Sequence, residues 1–344
     1  MKFKENDLKI YAAPLSETEN QKCINAISMV RDALKDLGFT DDGKNIEKLY
    51  ADTYAYSLNM RSLIGSRKVH LFIQGSYANN TNVRTQSDVD IAVVQEDLFK
   101  TEYRSSTSLY PQSDSDYGFI TAPAADETFK DEIQKCLELK FGADVERKNK
   151  SIKIHGNTYR KDADVVPCQR YRDYRNDYQK NVNNYICGVV ITPDHGNKII
   201  NYPEQHIANG RKKNNDTNRY YKKMVRIIKK MRYLMCDCGY EEAKQVSSFG
   251  LESLLWNLPD DVFMRYSIYR YEFGEIVDYL YKHMEEFSSY KEANGIKKLC
   301  STSSELINYK KFIERLYKFY EYDIMEEIWQ RYKLNSWKKL FGLL

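Results

Sequence analysis

The sequence lacks any Cys-x-x-Cys pair. Its seven cysteines are scattered, and Cys236 and Cys238 stand one residue apart, which suits no common zinc spacing. Five histidines are equally dispersed. No structural zinc site is expected, and the cysteines read as reduced thiols of a cytoplasmic protein. No run of about 18 apolar residues occurs, so no membrane span is expected. The opening stretch MKFKENDLKIYAAPL has no apolar core of a secretory leader. A strong charge bias is missing too: 53 basic against 49 acidic residues leave +4. That is too little for a surface that coats DNA, while a local basic site for phosphates stays open. No internal repeat is visible.

What is present fits one large domain or two ordinary ones, since 344 residues can bury a substantial core. Ser16 and Glu19 have capping-box spacing ahead of Ile24, Ile27, Val30 and Leu34, so a helix starts there, and Gly38 ends it. A second helical stretch is expected from Asn45 to Ile64. Then the period changes. VHLFIQ (Val69 to Gln74) reads as a strand, and DVDIAVV as the next one. Residues 104–124, rich in Ser, Pro and Asp, read as a loop or lid. ADETFKDEIQKCLELKFG reads as a helix closing on Gly142, and KSIKIHGNTYRKDADVVPC as a hairpin turning at Gly156-Asn157. Residues Asn181 to Asn215 read as irregular, and the chain beyond them as helical. In TNRYYKKMVRIIKKMRYLM, Tyr221, Val225, Ile228 and Met235 form one stripe and Lys222, Arg226 and Lys229 another. The tail from Trp337 to Leu344 reads as packing.

The chemistry is concentrated in IQGSYANNTNVRTQSDVDIAVV, residues 73–94. On a strand, Asp88 and Asp90 face the same side. Two neighbouring carboxylates repel unless a cation sits between them. Oxygen ligands of this kind suit Mg²⁺, which also takes substrate phosphates as co-ligands. Asp164, in DADVVPC, would complete a two-metal arrangement if its strand lay beside the first. Asp-x-Asp alone reads rather as a solvated strand face. The preceding Gly-Ser shifts the balance. Gly75 lets the backbone approach a phosphate, Ser76 adds a hydroxyl, and a short helix from near Tyr77 would offer free amides to an anion.

Together, GSYANNTNVRTQSDVDIAVV, DADVVPC, INYPEQHIANGRKKNNDTNRYYKKMVRIIKKMR and SSFGLESLLWNLP resemble the polymerase-β-type nucleotidyltransferases. The resemblance is to the branch that holds oligoadenylate synthases, cyclic GMP–AMP synthase and the bacterial cyclic-oligonucleotide synthases (CD-NTases) of anti-phage signalling. It implies a bilobal α+β fold. Residues 1–190 would form a catalytic domain with N-terminal helices and a mixed sheet, and residues 191–344 a helical, oligoadenylate-synthase-like domain. Asp88 and Asp90 match the pair that holds two Mg²⁺ ions, with Mn²⁺ as a substitute. Asp164 matches the third acid, which binds the catalytic metal and helps deprotonate the attacking ribose hydroxyl. Asp162 does not match and reads as a bystander. Gly75 and Ser76 match the phosphate-holding turn, and Lys229 a lysine that contacts the donor triphosphate. Ser248 matches a serine beside that triphosphate, with Ser247 an alternative by one position. Phe249 matches an aromatic that stacks on a nucleobase. Without the resemblance, Lys229 reads as one of many solvated basic residues, Ser248 as a helix cap, and Phe249 as helix core. Arg84 is a further phosphate candidate, while Lys222 and Arg226 read as a solvated face. The DNA-binding zinc ribbon of the animal enzyme has no counterpart, so activation by DNA is not expected.

The implied activity joins nucleoside triphosphates into a cyclic di- or trinucleotide messenger, with release of pyrophosphate. A separate effector protein would read the product. Cyclisation rests on the resemblance alone. The nearest alternative makes linear oligonucleotides or extends RNA ends, and the near-balanced charge gives that little support. A decayed nucleotide-binding module is opposed by the presence of all three acids. An enzyme that nucleotidylates small molecules is opposed by the INYPEQH and SSFGLESLLWN motifs.

Overall fold

Helix α1 (Glu5–Ala12) packs on helices from the far end of the chain. The computed structural model describes residues 2–83, 88–123 and 126–321. It divides into a sheet unit, Leu15–Arg211, and a helical unit that joins the first fourteen residues to those from Lys212 onward. The boundary expected near residue 190 therefore falls at 211/212. Two strands beyond 185 return to the sheet, and α1 leaves it.

In the sheet unit, α2 (Glu17–Asp36) is followed by β1 (Phe39–Thr40), β2 (Glu47–Lys48), β3 (Tyr56–Ser62), β4 (Lys68–Gln74), α3 (Gly75–Ala78) and β5 (Val89–Glu102). Then come α4 (Phe129–Phe141), β6 (Val145–Arg147), β7 (Ile152–Ile154), β8 (Ala163–Asp173), β9 (Ile186–Ile191), β10 (Ile199–Asn201) and α5 (Pro203–Asp216). The strand order is β1-β3-β4-β5-β8-β7-β6, with β2 on β3, β9 on β8 and β10 on β9. Only the β5–β8 pair is parallel among the described strands. The mixed sheet expected for the N-terminal half is thus present.

Alternation along the strands sorts their side chains. Leu71, Ile73, Ile91, Val93 and Val165 face α2 and α4 and meet Ile27, Val30, Leu34, Ile133 and Leu137. The other face carries a smaller cluster around Phe72, Ala92, Val94, Val166 and Cys168. Helix α2 starts as its sequence indicates: Ser16 Oγ accepts from the Glu19 amide at 3.2 Å, and Glu19 Oε2 accepts from the Ser16 amide at 3.0 Å. Gly38, at φ +84°, follows its end.

Three expectations change. The helix expected over Asn45–Ile64 is instead β2, a turn and β3. Tyr56, Leu58 and Met60 are buried while Ser57, Asn59 and Arg61 are not, a period of two that suits a strand. The stretch Asn181–Asn215, expected to be irregular, contains β9, β10 and α5. Helix α5 has few apolar positions, so it shows little periodicity. Its buried face is His206, Ile207 and Gly210, and Asn79 Nδ2 lies 3.0 Å from His206 Nε2. The hairpin turn is wider than Gly156-Asn157, because β7 ends at Ile154 and β8 begins at Ala163.

Residues 104–123 are the expected loop, but a packed one. Tyr117 Oη donates to Asp177 Oδ2 at 2.8 Å, and the Tyr117 ring lies 4.4 Å from that of Tyr174. The Arg172 guanidinium stands 3.7 Å from the centre of the Phe99 ring nearby.

In the helical unit, α6 (Tyr221–Asp237) contacts α1, α7 (Glu241–Lys244), α8 (Ser248–Trp256) and α10 (Ser303–Tyr320). Helix α9 (Tyr269–Lys282) packs on α1 and α10. Glu5 of α1 accepts from the Tyr269 and Arg270 amides at 3.2 and 2.9 Å, which fixes α1 at the start of α9. Because α6 is covered on several sides, Lys222 and Arg226 are buried rather than solvated, and Arg226 Nε donates to the Ala12 carbonyl at 2.7 Å. The Trp337–Leu344 tail lies outside the described residues. Among those residues, no helix is long and apolar enough to cross a membrane.

Ile27→Ala should lower stability by about 2–5 kcal/mol, because the fully buried side chain joins α2 to the sheet. Denaturant unfolding of the two proteins measures it.

Candidate active site

Strand β4 ends in a sharp reversal. Gly75 sits at φ +70°, and a Cβ there would lie 2.6 Å from Asp90 Oδ2. Only glycine fits both the conformation and the contact. The register then lines up one row across four strands: Gln74 pairs with Asp90, Asp90 with Asp164, and Asp164 with Lys153. Residues paired in this way share a face of the sheet. Asp88 precedes β5 on the same side of the alternation. Both Asp90 and Asp164 are partly buried at the polar end of the face that carries the Phe72 cluster.

Each acid has a different neighbour. Asp90 rests against Gly75. Asp164 Oδ1 accepts from Ser151 Oγ at 3.3 Å. Asp88 Oδ2 accepts from Lys153 Nζ at 2.8 Å, and the same ammonium lies 3.2 Å from Asp162 Oδ2. Burial, then the Asp164 and Asp88 charges, push Asp90 up to about 7. Burial and Asp88 also raise Asp164, against the opposing pull of Lys153 and Ser151. For Asp162, burial works upward, but the Gly156 amide and Lys153 hold the carboxyl below its usual range. The Asp88 hydrogen bond raises Lys153 well above an ordinary lysine.

The donor set fits a divalent cation. Carboxylate oxygens from adjacent strands converge, and ionising Asp90 is unfavourable without added positive charge. Yet among the described residues no three His, Cys, Asp or Glu side chains form a ready metal cluster. Asp88 is turned to Lys153 instead. Lys153 and Ser151 were not singled out from sequence. The signal was there in SIKIHG: Ile152 and Ile154 are buried, so the intervening Lys153 faces the acids from the strand beside Asp164. Asp162 is more than a bystander, since it pairs with that lysine.

The helical unit holds the other candidates. Ser247, not Ser248, is the N-cap of α8, accepting from the Gly250 amide at 2.9 Å. Ser248 and Phe249 form the first turn, and Phe249 is 38% exposed, so it is not core. A Cβ on Gly250 would lie 1.6 Å from the Tyr309 hydroxyl, so a side chain there would have to displace that ring. Lys229 is buried, and its ammonium contacts Glu252 Oε2 of α8 at 2.6 Å. The lysine expected to contact a triphosphate thus faces a carboxylate of α8 in this structure. Glu252, missed from sequence, is the E of SSFGLE. Ser76 lies in α3 beside Gly75, while Arg84 lies outside the described residues.

Two predictions follow from these charges. Lys229→Met should destabilise the protein by about 3–5 kcal/mol by removing the buried cation beside the Glu252 carboxylate, read by denaturant unfolding. For Asp90, a raised folded pKa means that its stability contribution is present below the unfolded pKa near pH 4 and lost as pH rises through about 7. Asp90→Asn removes that loss. Calorimetry with chelator should give equal unfolding midpoints at about pH 4 and a midpoint several degrees higher for the variant at about pH 8.

Comparison with known proteins supplies the lineage. The model of the cGAS/DncV-like nucleotidyltransferase C-terminal helical domain matches residues 208–321. Cyclic GMP-AMP synthase CdnE03 of Staphylococcus schleiferi is 44% identical over 94% of this chain and 98% of its own length. A cyclic dipyrimidine nucleotide synthase, CdnE of Cecembia lonarensis, is 36% identical over 87% of this chain and 90% of its own. The solved structure of Elizabethkingia meningoseptica CdnE cyclic dinucleotide synthase, with GTP and Apcpp, superposes with a TM-score of 0.68 at 30% identity. That match covers 93% of this chain and all of the other. Full-length similarity of this order, on a fold with three acids along adjacent strands, makes the chain a nucleotidyltransferase of the cGAS/DncV-like (CD-NTase) family.

Proposed function

We propose that this chain joins two nucleoside triphosphates into a cyclic dinucleotide, in a Mg²⁺-dependent reaction at Asp88, Asp90 and Asp164. The observation that carries it is the Asp90–Asp164 register pair, seated against a glycine whose positive φ and close approach to Asp90 make any side chain there strained. Two Mg²⁺ ions held by the three acids, or Mn²⁺ in their place, would lower the pKa of the acceptor hydroxyl and stabilise the departing pyrophosphate.

The chain's own residues do the rest. The acceptor ribose oxygen bonds to the α-phosphorus of the donor while its proton passes to a carboxylate oxygen of Asp164. The bond from the α-phosphorus to the bridging oxygen breaks, and pyrophosphate leaves with the electron pair. Gly75 allows close approach of the donor phosphates, and Ser76 offers them a hydroxyl. Ser248 supplies a hydroxyl for the donor triphosphate, and exposed Phe249 a ring for a base. Lys229 contributes by holding Glu252, and with it α8, in place. A second round uses the same acids after the linear intermediate turns over and presents its own triphosphate. The likeness to cyclic nucleotide synthases supports a messenger role, which we assign to anti-phage defence, with a separate effector protein reading the product.

The test is incubation with all four ribonucleoside triphosphates and Mg²⁺, phosphatase treatment and mass spectrometry. A phosphatase-resistant product with the mass of a cyclic dinucleotide is expected, and its mass names the bases. Asp88→Ala and Asp164→Ala should each reduce its formation on the order of a thousandfold or more. A phosphatase-sensitive product would overturn cyclisation in favour of linear synthesis.

A further inference from the structure

One charged group on the acid face has no part in the reaction just described. Lys153 lies opposite Asp164 in register and bridges Asp88 Oδ2 at 2.8 Å and Asp162 Oδ2 at 3.2 Å. Its side chain is only 19% exposed, so it is held rather than loosely solvated. The two partners differ. Asp88 is a proposed metal ligand. Asp162 is fixed by the hairpin: its Oδ1 accepts from the Gly156 amide, and a Cβ on Gly156 would lie 2.6 Å from the Asp162 nitrogen. An ammonium that releases Asp88 therefore keeps an anchored carboxylate within reach.

We propose that Lys153 is a positioning residue that holds Asp88 when no divalent cation is bound, yields it when one arrives, and is retained by Asp162. The proposal rests on the metal-dependent reading above. It makes Lys153 the group that sets how much divalent cation the protein needs, since each binding event must displace the ammonium from Asp88. Removing the lysine removes both a competitor for Asp88 and a repelling charge. Removing the charge of Asp162 leaves the ammonium with Asp88 as its remaining partner of the two.

The test is Mn²⁺ titration of the intact protein without nucleotide, read by electron paramagnetic resonance, with thermal unfolding as a check on folding. Lys153→Met should bind Mn²⁺ roughly three- to tenfold more tightly than the natural protein. Lys153→Arg, which keeps the charge, should stay close to it, and Asp162→Asn should bind more weakly. Unchanged or weakened Mn²⁺ binding in Lys153→Met overturns the proposal. So does a rise in KM for nucleotide with unchanged Mn²⁺ affinity, which would make Lys153 a phosphate ligand. Failure of the metal reading itself looks different: the natural protein would show no saturable Mn²⁺ binding that Asp90→Asn removes.

Discussion

The parallel pairing of β5 with β8 is the constraint on which the candidate site depends. Parallel neighbours need a crossover, and here α4 and the strands after it supply one. The register between the two strands is set by their apolar residues. Ile91, Val93 and Val165 must face α2 and α4. A slip of one residue would turn Asp90 or Asp164 into that core and their apolar neighbours out of it. The packing on one side of the sheet therefore determines where the charges stand on the other.

Charge in this protein is managed internally. The Arg170 guanidinium is buried among Glu96, Glu204 and Cys187, which ties β8 to β5, β9 and the first turn of α5. Lys229 and Glu252 neutralise one another beneath α8. Each of these buried cations has a carboxylate partner. The row of acids has one ammonium, Lys153, and burial together with the Asp164 and Asp88 charges pushes Asp90 up to about 7. A site that must accept a charged ligand differs from a structural ion pair in this respect: its own charges do not cancel.

Much of the fold was legible in the sequence because short-range chemistry coincided with the tertiary outcome. The Ser16–Glu19 box, the run VHLFIQ and the alternating DVDIAVV all became what local rules indicate. Residues 45–64 misled because their apolar positions can be threaded on either period, and only pairing with β4 selects the strand. Helix α5 was hidden because a histidine, an isoleucine and a glycine make up its buried face. The acids were legible as a motif, and so was the Gly-Ser turn. Lys153 and Glu252 were not, because each matters through a partner remote in sequence. The basic stripe of α6 was misread as a solvated face because part of its cover comes from α1, more than 200 residues away in sequence.

Gly75 and Asp90 compete for space: a side-chain carbon at 75 would press on the Asp90 carboxylate. Heredity cannot then treat the two codons as independent. A lineage that keeps the aspartate must keep the glycine, whatever happens to the rest of the turn.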